Sequence, residues 1–242
     1  SRRQRQMCIR DSQLYEHLSQ IFKIFLIHGH VCLFVLLSTM VPLIKDKLGD
    51  RCASKNYRSI AISSLLLKIF DWVIIILFGD ILKLDKLQFG YQEGCSTTMA
   101  TWLALENISY FLRKGSEVFV CLMDMTKAFD NVKHSILFKK LLEKGLPKII
   151  VRLLLVMYTL QKANVRWGGL LSKYFNMSNG VKQGAVLSAI LYCFYTDELF
   201  KRFRKEKLGC WIQGKFTGAV GYADDNLVMS PTLTGLKDDE YL

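Results

Sequence analysis

The chain has 242 residues, 51% hydrophobic and 22% charged, enough to bury a core in one large domain or two closely joined ones. With 33 Lys and Arg against 21 Asp and Glu, the formal net charge is +12, so the simplest partner is a polyanion, nucleic acid before membrane surface. Seven cysteines, an odd number without metal-ligand spacing, argue against a disulfide framework or a zinc site.

The longest apolar run, 31–44, is 14 residues, contains Pro42 and ends at Lys45-Asp46-Lys47. A helical membrane span needs about 20 residues. No signal peptide is evident. These features predict a reduced intracellular protein of nucleus and cytoplasm, not secreted and without a membrane partner.

Residues 1–12 carry four arginines and almost no core formers, which predicts a non-native or disordered basic arm outside the fold. From Gln13 to Ile44 helix and apolar strand are mixed, and Lys45 to Tyr57 is a polar loop. Ile60 to Leu84 is apolar with helical spacing. A Gly-containing loop, Gln88 to Thr98, leads to a helix capped by Ser96 or Thr97 and ending near Lys114. Glu117 to Met125 alternates as a strand. Asp130 or Asn131 is expected to cap a helix running to Glu143, which Gly145-Leu146-Pro147 stops. A second helix covers Lys148 to about Gln161, and Ala163–Trp167 with Lys173–Met177 reads as a hairpin across Gly168-Gly169. Val186 to about Lys207 predicts one long helix ended by Gly209. Strands follow at Cys210–Gln213, Phe216–Val220 and Leu227–Ser230. The class is α+β, with antiparallel strands carrying the carboxylates and helices on one face.

Three stretches carry chemistry. Asp124 ends the 117–125 strand, where a carboxylate is core-compatible only if paired or bound to a metal. Phe129, five residues on, reads by itself as a core aromatic. Asn179-Gly180-Val181-Lys182-Gln183-Gly184 opens the long helix. Its glycines permit a close ligand approach, and Gln183 can hydrogen-bond a base, sugar or phosphate, although an ordinary strand-to-helix turn has the same look. Gly221-Tyr222-Ala223-Asp224-Asp225-Asn226 reads as a tight turn between two strands, and Asp-Asp-Asn is also ordinary turn chemistry. Three carboxylates on adjacent strand ends would form a hard oxygen site suited to Mg2+.

In this order the three stretches resemble motifs A, B and C of reverse transcriptases, in wording close to those of non-LTR (LINE-type) retrotransposons. Motif A is Asp124 with Lys127-Ala128-Phe129-Asp130, motif B is Gly180-Val181-Lys182-Gln183-Gly184 through Leu187-Ser188, and motif C is Tyr222-Ala223-Asp224-Asp225. Asn56-Tyr57-Arg58-Ser59-Ile60 is similar to a fingers segment, and Gln88-Phe89-Gly90-Tyr91 to the block between fingers and palm. The resemblance implies a right-hand polymerase: fingers and their connection over 13–115, then a palm over 116–242 whose antiparallel sheet is backed by helices. It implies an RNA-directed DNA polymerase that uses two Mg2+ ions, or Mn2+ in their place. The metal ligands would be Asp124, Asp224, Asp225 and the Met125 carbonyl. Partners would be an RNA template, a DNA primer and a dNTP, with no obligate protein partner evident.

By the same resemblance Phe129 screens out a ribose 2′-hydroxyl, Gln183 and Gly184 contact the nucleotide, and Tyr222 and Ala223 meet the primer end. Arg58 and Lys45 match residues that grip the triphosphate, although Lys45 alone is equally a surface lysine. Asp130 and His134 read as structural. The chain departs from the pattern at Gln92 and Glu93, where relatives carry basic residues. It also stops seventeen residues after Asp225, before the motif whose lysine protonates pyrophosphate and before a thumb. A partial domain, thumb absent, is the expectation, and a catalytically dead nucleic-acid-binding remnant is the alternative. An RNA-dependent RNA polymerase fits less well, because Ala223 and Phe129 stand where that class has Gly and no aromatic screen.

Overall fold

The structure, a computed structural model, describes residues 2–125 and 128–237, with side chains for 12–125 and 128–236. Ser1, the motif A stretch at Thr126 and Lys127, and residues 238–242 lie outside it, whereas residues 2–12, expected as a basic arm outside the fold, are helical backbone at the start of the first helix.

Helix α1 (Arg2–His28) is followed by a short turn α2 (Leu33–Leu36) and strand β1 (Leu37–Ile44). A polar loop with a short 3-10 turn leads to β2 (Tyr57–Ser63). The helix expected from Ile60 begins only at Leu65: residues 57–63 are a strand. Ser64 then caps α3 (Leu65–Phe78), its hydroxyl accepting from Leu67 N at 3.3 Å. A short apolar run is ambiguous between strand and helix, and pairing with β1 decides it. Ser96 caps α4 (Thr97–Arg113) as expected, accepting from Met99 N.

Strand β3 (Phe119–Asp124) ends on the first carboxylate. The next helix, α5 (His134–Glu143), starts later than the sequence suggests. Its N-cap is Lys133, without a side-chain cap bond, so neither Asp130 nor Asn131 caps it. Then come α6 (Lys148–Thr159), β4 (Lys162–Trp167), β5 (Leu170–Leu171) and β6 (Phe175–Asn176). The long helix is two: α7 (Val186–Thr196) and α8 (Glu198–Lys205), separated at Asp197. Strands β7 (Trp211–Ile212), β8 (Lys215–Phe216), β9 (Ala219–Tyr222) and β10 (Asp225–Ser230) and the turn α9 (Thr234–Lys237) complete the order.

These elements form two compact units, residues 1–81 with 133–186, and residues 82–132 with 187–242. The first holds a mixed sheet in the order β2-β1-β4-β5, with β6 also paired to β4. Strand β1 is antiparallel to β2 and parallel to β4. The aromatic rings of Phe22 and Phe70 pack at 5.0 Å. Arg152 of α6 donates to the Leu26 and Ile27 carbonyls at the end of α1, a cationic cap where the helix dipole is negative.

The second unit holds the antiparallel sheet β3-β10-β9 and the small hairpin β7-β8. Helices cover both faces of this sheet rather than one. On one face Val220 and Met229 pack with Ala100 and Ala104 of α4. On the other Ala219 and Val228 pack with Phe200 and Phe203 of α8. Both faces of β9 and β10 are therefore apolar, as in a sheet buried between two layers. Asn107 of α4 locks the first layer, donating to the Thr217 carbonyl at 2.8 Å and accepting from the Thr217 hydroxyl at 2.9 Å. No helix among the described residues is long and apolar enough to cross a membrane. Cys32, Cys52, Cys95, Cys121, Cys193 and Cys210 are free thiols.

Candidate active site

The sheet of the second unit ends in carboxylates because of its register. Asp225 lies directly opposite Asp124 on β3 and opposite Tyr222 on β9. Facing residues on neighbouring antiparallel strands point to the same side, with Cβ atoms about 4.5–5.5 Å apart. Asp124 and Asp225 thus share one face at the open end of the sheet, and both are exposed.

Asp224 is half-buried in the two-residue turn Ala223-Asp224. Ala223 is left-handed at φ +59°, and Asp224 is not, which is the sign pattern of a type II′ hairpin turn with alanine where glycine is usual. Ala223, expected to leave room at a primer end, is itself buried, 6% exposed. Both of its backbone polar groups bond to the side chain of Gln88.

Hard oxygen donors on adjacent strands are the set a divalent cation of the Mg2+ type takes, so the residues fit the ion by type and backbone placement. Among the described residues no three His, Cys, Asp or Glu side chains converge tightly enough to hold a metal ion. The Met125 carbonyl accepts from Ala128 N at 3.2 Å, which uses one of its two lone pairs and leaves the other.

Phe129 is buried, its ring stacked on Tyr192 of α7 with centroids 4.8 Å apart and planes at 25°. Burial, with Asp224, Cys193 and Asp225 nearby, raises the Tyr192 phenol far above its ordinary value. The Cys193 thiol is pushed up to about 12 by burial, then by Asp224 and Asp197. Tyr91 is also left-handed, at φ +57°, and is exposed; partial burial, then Cys193, Asp224 and Tyr222, raise its phenol. These groups stay protonated at neutral pH.

The remaining sequence candidates lie in the first unit. Arg58, the second residue of β2, lies opposite Leu43, and Lys45, two residues beyond Leu43, extends the same ladder through Lys45 N to the Asn56 carbonyl at 2.9 Å. The period of two puts Lys45 and Arg58 on one face of this hairpin, both exposed. The Gln183 carbonyl accepts from Ala61 N of β2 at 2.8 Å, and Gly184, at φ +106°, passes so close that a Cβ would lie 3.0 Å from the Ala61 carbonyl oxygen. Lys182 is buried and donates to the Leu36 carbonyl at 3.3 Å. His134 buttresses the same loop, its Nε2 being 2.7 Å from the Gly180 carbonyl and its ring packed by Phe138 and Tyr158.

Gln88 was named in the sequence only as part of the block Gln88-Phe89-Gly90-Tyr91 and was given no role of its own. Its partner is 135 residues away, and nothing in Leu87-Gln88-Phe89-Gly90 announces that distance. Gln92 also has a structural task, donating to the Asp85 carbonyl at 2.9 Å and to the Gln88 carbonyl.

A carboxylate hairpin facing a strand-end aspartate, on a sheet layered between helices, defines a class. A family model described as reverse transcriptase (RNA-dependent DNA polymerase) matches residues 44–239, and the chain belongs to that family. Within it the chain is similar to R2 retrotransposon polyproteins, in keeping with the non-LTR wording of its motifs. It is 25% identical over 187 residues to the Pol polyprotein of the type-2 retrotransposable element R2DM of Drosophila melanogaster, covering 76% of this chain and 17% of that one. It is 24% identical over 222 residues to the R2 Pol polyprotein of Nasonia vitripennis, covering 92% and 21%. The chain thus spans about a fifth of the length of these relatives. Among solved structures, apo telomerase from Candida tropicalis aligns with TM-score 0.57 at 15% identity, over 87% of this chain and 47% of that one, a likeness of fold.

Proposed function

We propose that this chain is the polymerase core of an RNA-directed DNA polymerase that joins a dNTP to a primer 3′-hydroxyl on an RNA template. The single observation that carries the reading is the register of Asp124 against Asp225, with Asp224 in the adjoining turn. Asp124, Asp224, Asp225 and the Met125 carbonyl would hold two Mg2+ ions. Such ions, when bound, polarise the attacking hydroxyl and neutralise the departing pyrophosphate.

The chain's own residues supply the rest. Lys45 and Arg58, on one face of their hairpin, would bind the triphosphate, the Arg fork matching two phosphate oxygens. Phe129, held by Tyr192, would present a fixed ring edge to the sugar and exclude a 2′-hydroxyl. Gln183 and Gly184 would line the nucleotide, and Tyr222 and Ala223 would flank the primer end. In this reading the second unit carries the palm sheet and the β1–β2 hairpin belongs to the fingers. The competing idea of a non-catalytic remnant has no observation that favours it.

Primer extension on an RNA template with Mg2+ and dNTPs tests the proposal. Wild-type product should disappear in Asp124→Asn and in Asp225→Asn. Undiminished extension by either variant would overturn the assignment.

A further inference from the structure

The turn bearing Asp224 is held from outside its own hairpin. Gln88, 1% exposed, accepts at Oε1 from Ala223 N at 2.8 Å and from Gly90 N at 2.9 Å, and its amide donates to the Ala223 carbonyl at 3.2 Å. Both backbone polar groups of a buried, left-handed alanine are thus satisfied by one side chain. A glutamine amide carries the same donor–acceptor pair as a peptide group, so Gln88 acts as one further rung of a ladder. The rungs before it are backbone: Gly221 N donates to the Leu87 carbonyl at 2.8 Å and Phe89 N to the Gly221 carbonyl at 2.7 Å. Residues 87–89 therefore cover the outer edge of β9, and the side chain continues where β9 turns away.

Two further features make this a clamp. Gly90 comes so close that a Cβ would sit 2.3 Å from Ala223 N and 2.9 Å from Ala223 Cα. The segment is also anchored from behind. Asp85 accepts from Leu87 N at 3.0 Å and pairs with Arg204 of α8 through both carboxylate oxygens, while Asp85 N donates to the buried Asp197 at 2.6 Å.

We propose that Gln88 is a positioning residue of the polymerase site. It holds Ala223 in the left-handed conformation that places Asp224 in the turn and Asp225 opposite Asp124. An L-residue disfavours that conformation, and unpaired buried backbone groups would disfavour it further. The inference rests on the polymerase reading for its functional consequence, but the clamp itself is a property of the hairpin.

The test uses the full chain and four variants: Gln88→Leu, Gln88→Glu, Gln88→Leu with Ala223→Gly, and Asp124→Asn. Gln88→Leu should speed amide exchange across 219–226 by about tenfold or more, with protection in α6 unchanged. It should raise the Mg2+ concentration for half-maximal extension by roughly tenfold while dNTP KM moves less than about twofold. Glycine adopts the left-handed region unaided, so the double variant should recover most of the lost metal response. Gln88→Glu keeps both accepted bonds but sets a carboxylate oxygen against the Ala223 carbonyl in place of the donated one. It should also speed exchange across 219–226, and it decides the question if Gln88→Leu does not fold. Unchanged exchange at 219–226 in Gln88→Leu and Gln88→Glu, or no recovery in the double variant, would overturn the clamp. If wild type makes no Asp124-dependent product, the polymerase reading fails, and the exchange measurement still decides the clamp.

Discussion

At the scale of single residues, the second unit fixes its turn by close approach as much as by bonding. Gly90→Ala forces a Cβ to within 2.3 Å of a backbone nitrogen that cannot retreat without breaking its bond to Gln88. Overpacking of this kind costs about 1–3 kcal/mol. The melting temperature of Gly90→Ala should therefore fall by several degrees, whereas Gly94→Ala, whose Cβ meets nothing within 4 Å, should lose only what a left-handed alanine costs. Equal losses at the two positions would show that approach to Ala223 is not the constraint. Phe129 makes a separate prediction. Its ring is immobilised on Tyr192, so Phe129→Val removes both the stack and any barrier to a 2′-hydroxyl. The ratio of kcat/KM for dNTP over NTP should drop by about tenfold or more, within what one steric contact discriminates. An unchanged ratio would make Phe129 a core aromatic and nothing else.

At the scale of elements, the strands that carry the carboxylates were legible and their supports were not. Residues 117–125 alternate, and Tyr222 to Asn226 carries turn chemistry between apolar runs, so local pattern was enough to find β3 and β10, while the strand expected over Phe216–Val220 is divided between the end of β8 and the start of β9. The break between α7 and α8 leaves no such mark. Asp197 has helical backbone angles and is fixed by one tertiary partner, Asp85 N, beside Lys201 one turn along α8. The role of Gln88 was hidden for the same reason, its bonds running between distant segments. Lys182 belongs with them. It reads as one polar residue in a Gly-rich loop, yet it is buried, and burial lowers its ammonium to about 8, against the pull of Asp71. An ammonium depressed below its unfolded value costs the folded state while protonated. The unfolded chain binds the extra proton between about 8 and 10.5, so this group's contribution to stability is least below 8 and rises with pH through that window. Urea midpoints at pH 7.5 and 9.5 should show wild type gaining on Lys182→Met by on the order of 1–2 kcal/mol. A gap that narrows with pH would mean that the Lys182 charge is not penalised in the folded state.

At the scale of the whole molecule, the charge is not shared between the units. Residues 1–81 with 133–186 hold 21 Lys and Arg against 7 Asp and Glu, net +14, and residues 82–132 with 187–242 hold 12 against 14, net −2. Omitting residues 1–12 leaves the first unit at 17 against 6, still +11. The polyanion attraction suggested by the total of +12 thus belongs to one unit, and the carboxylates sit in the other, which is mildly acidic. A phosphate backbone attracts cations, and the first unit carries the excess of them. This division makes a prediction for binding. Affinity for a single-stranded RNA should fall linearly on a log–log plot against salt, with a slope of about −0.7 for each phosphate neutralised. Replacing the exposed first-unit residues Lys47, Lys55 and Lys173 by Gln should flatten that slope by up to about 2, in proportion to how many of them meet phosphate. The matched triple in the second unit, at the exposed Lys86, Lys205 and Lys215, removes the same formal charge and should leave the slope nearly unchanged. If both triples flattened the slope equally, the attraction would follow total charge, and the electrostatic division between the units would have no bearing on how nucleic acid is held.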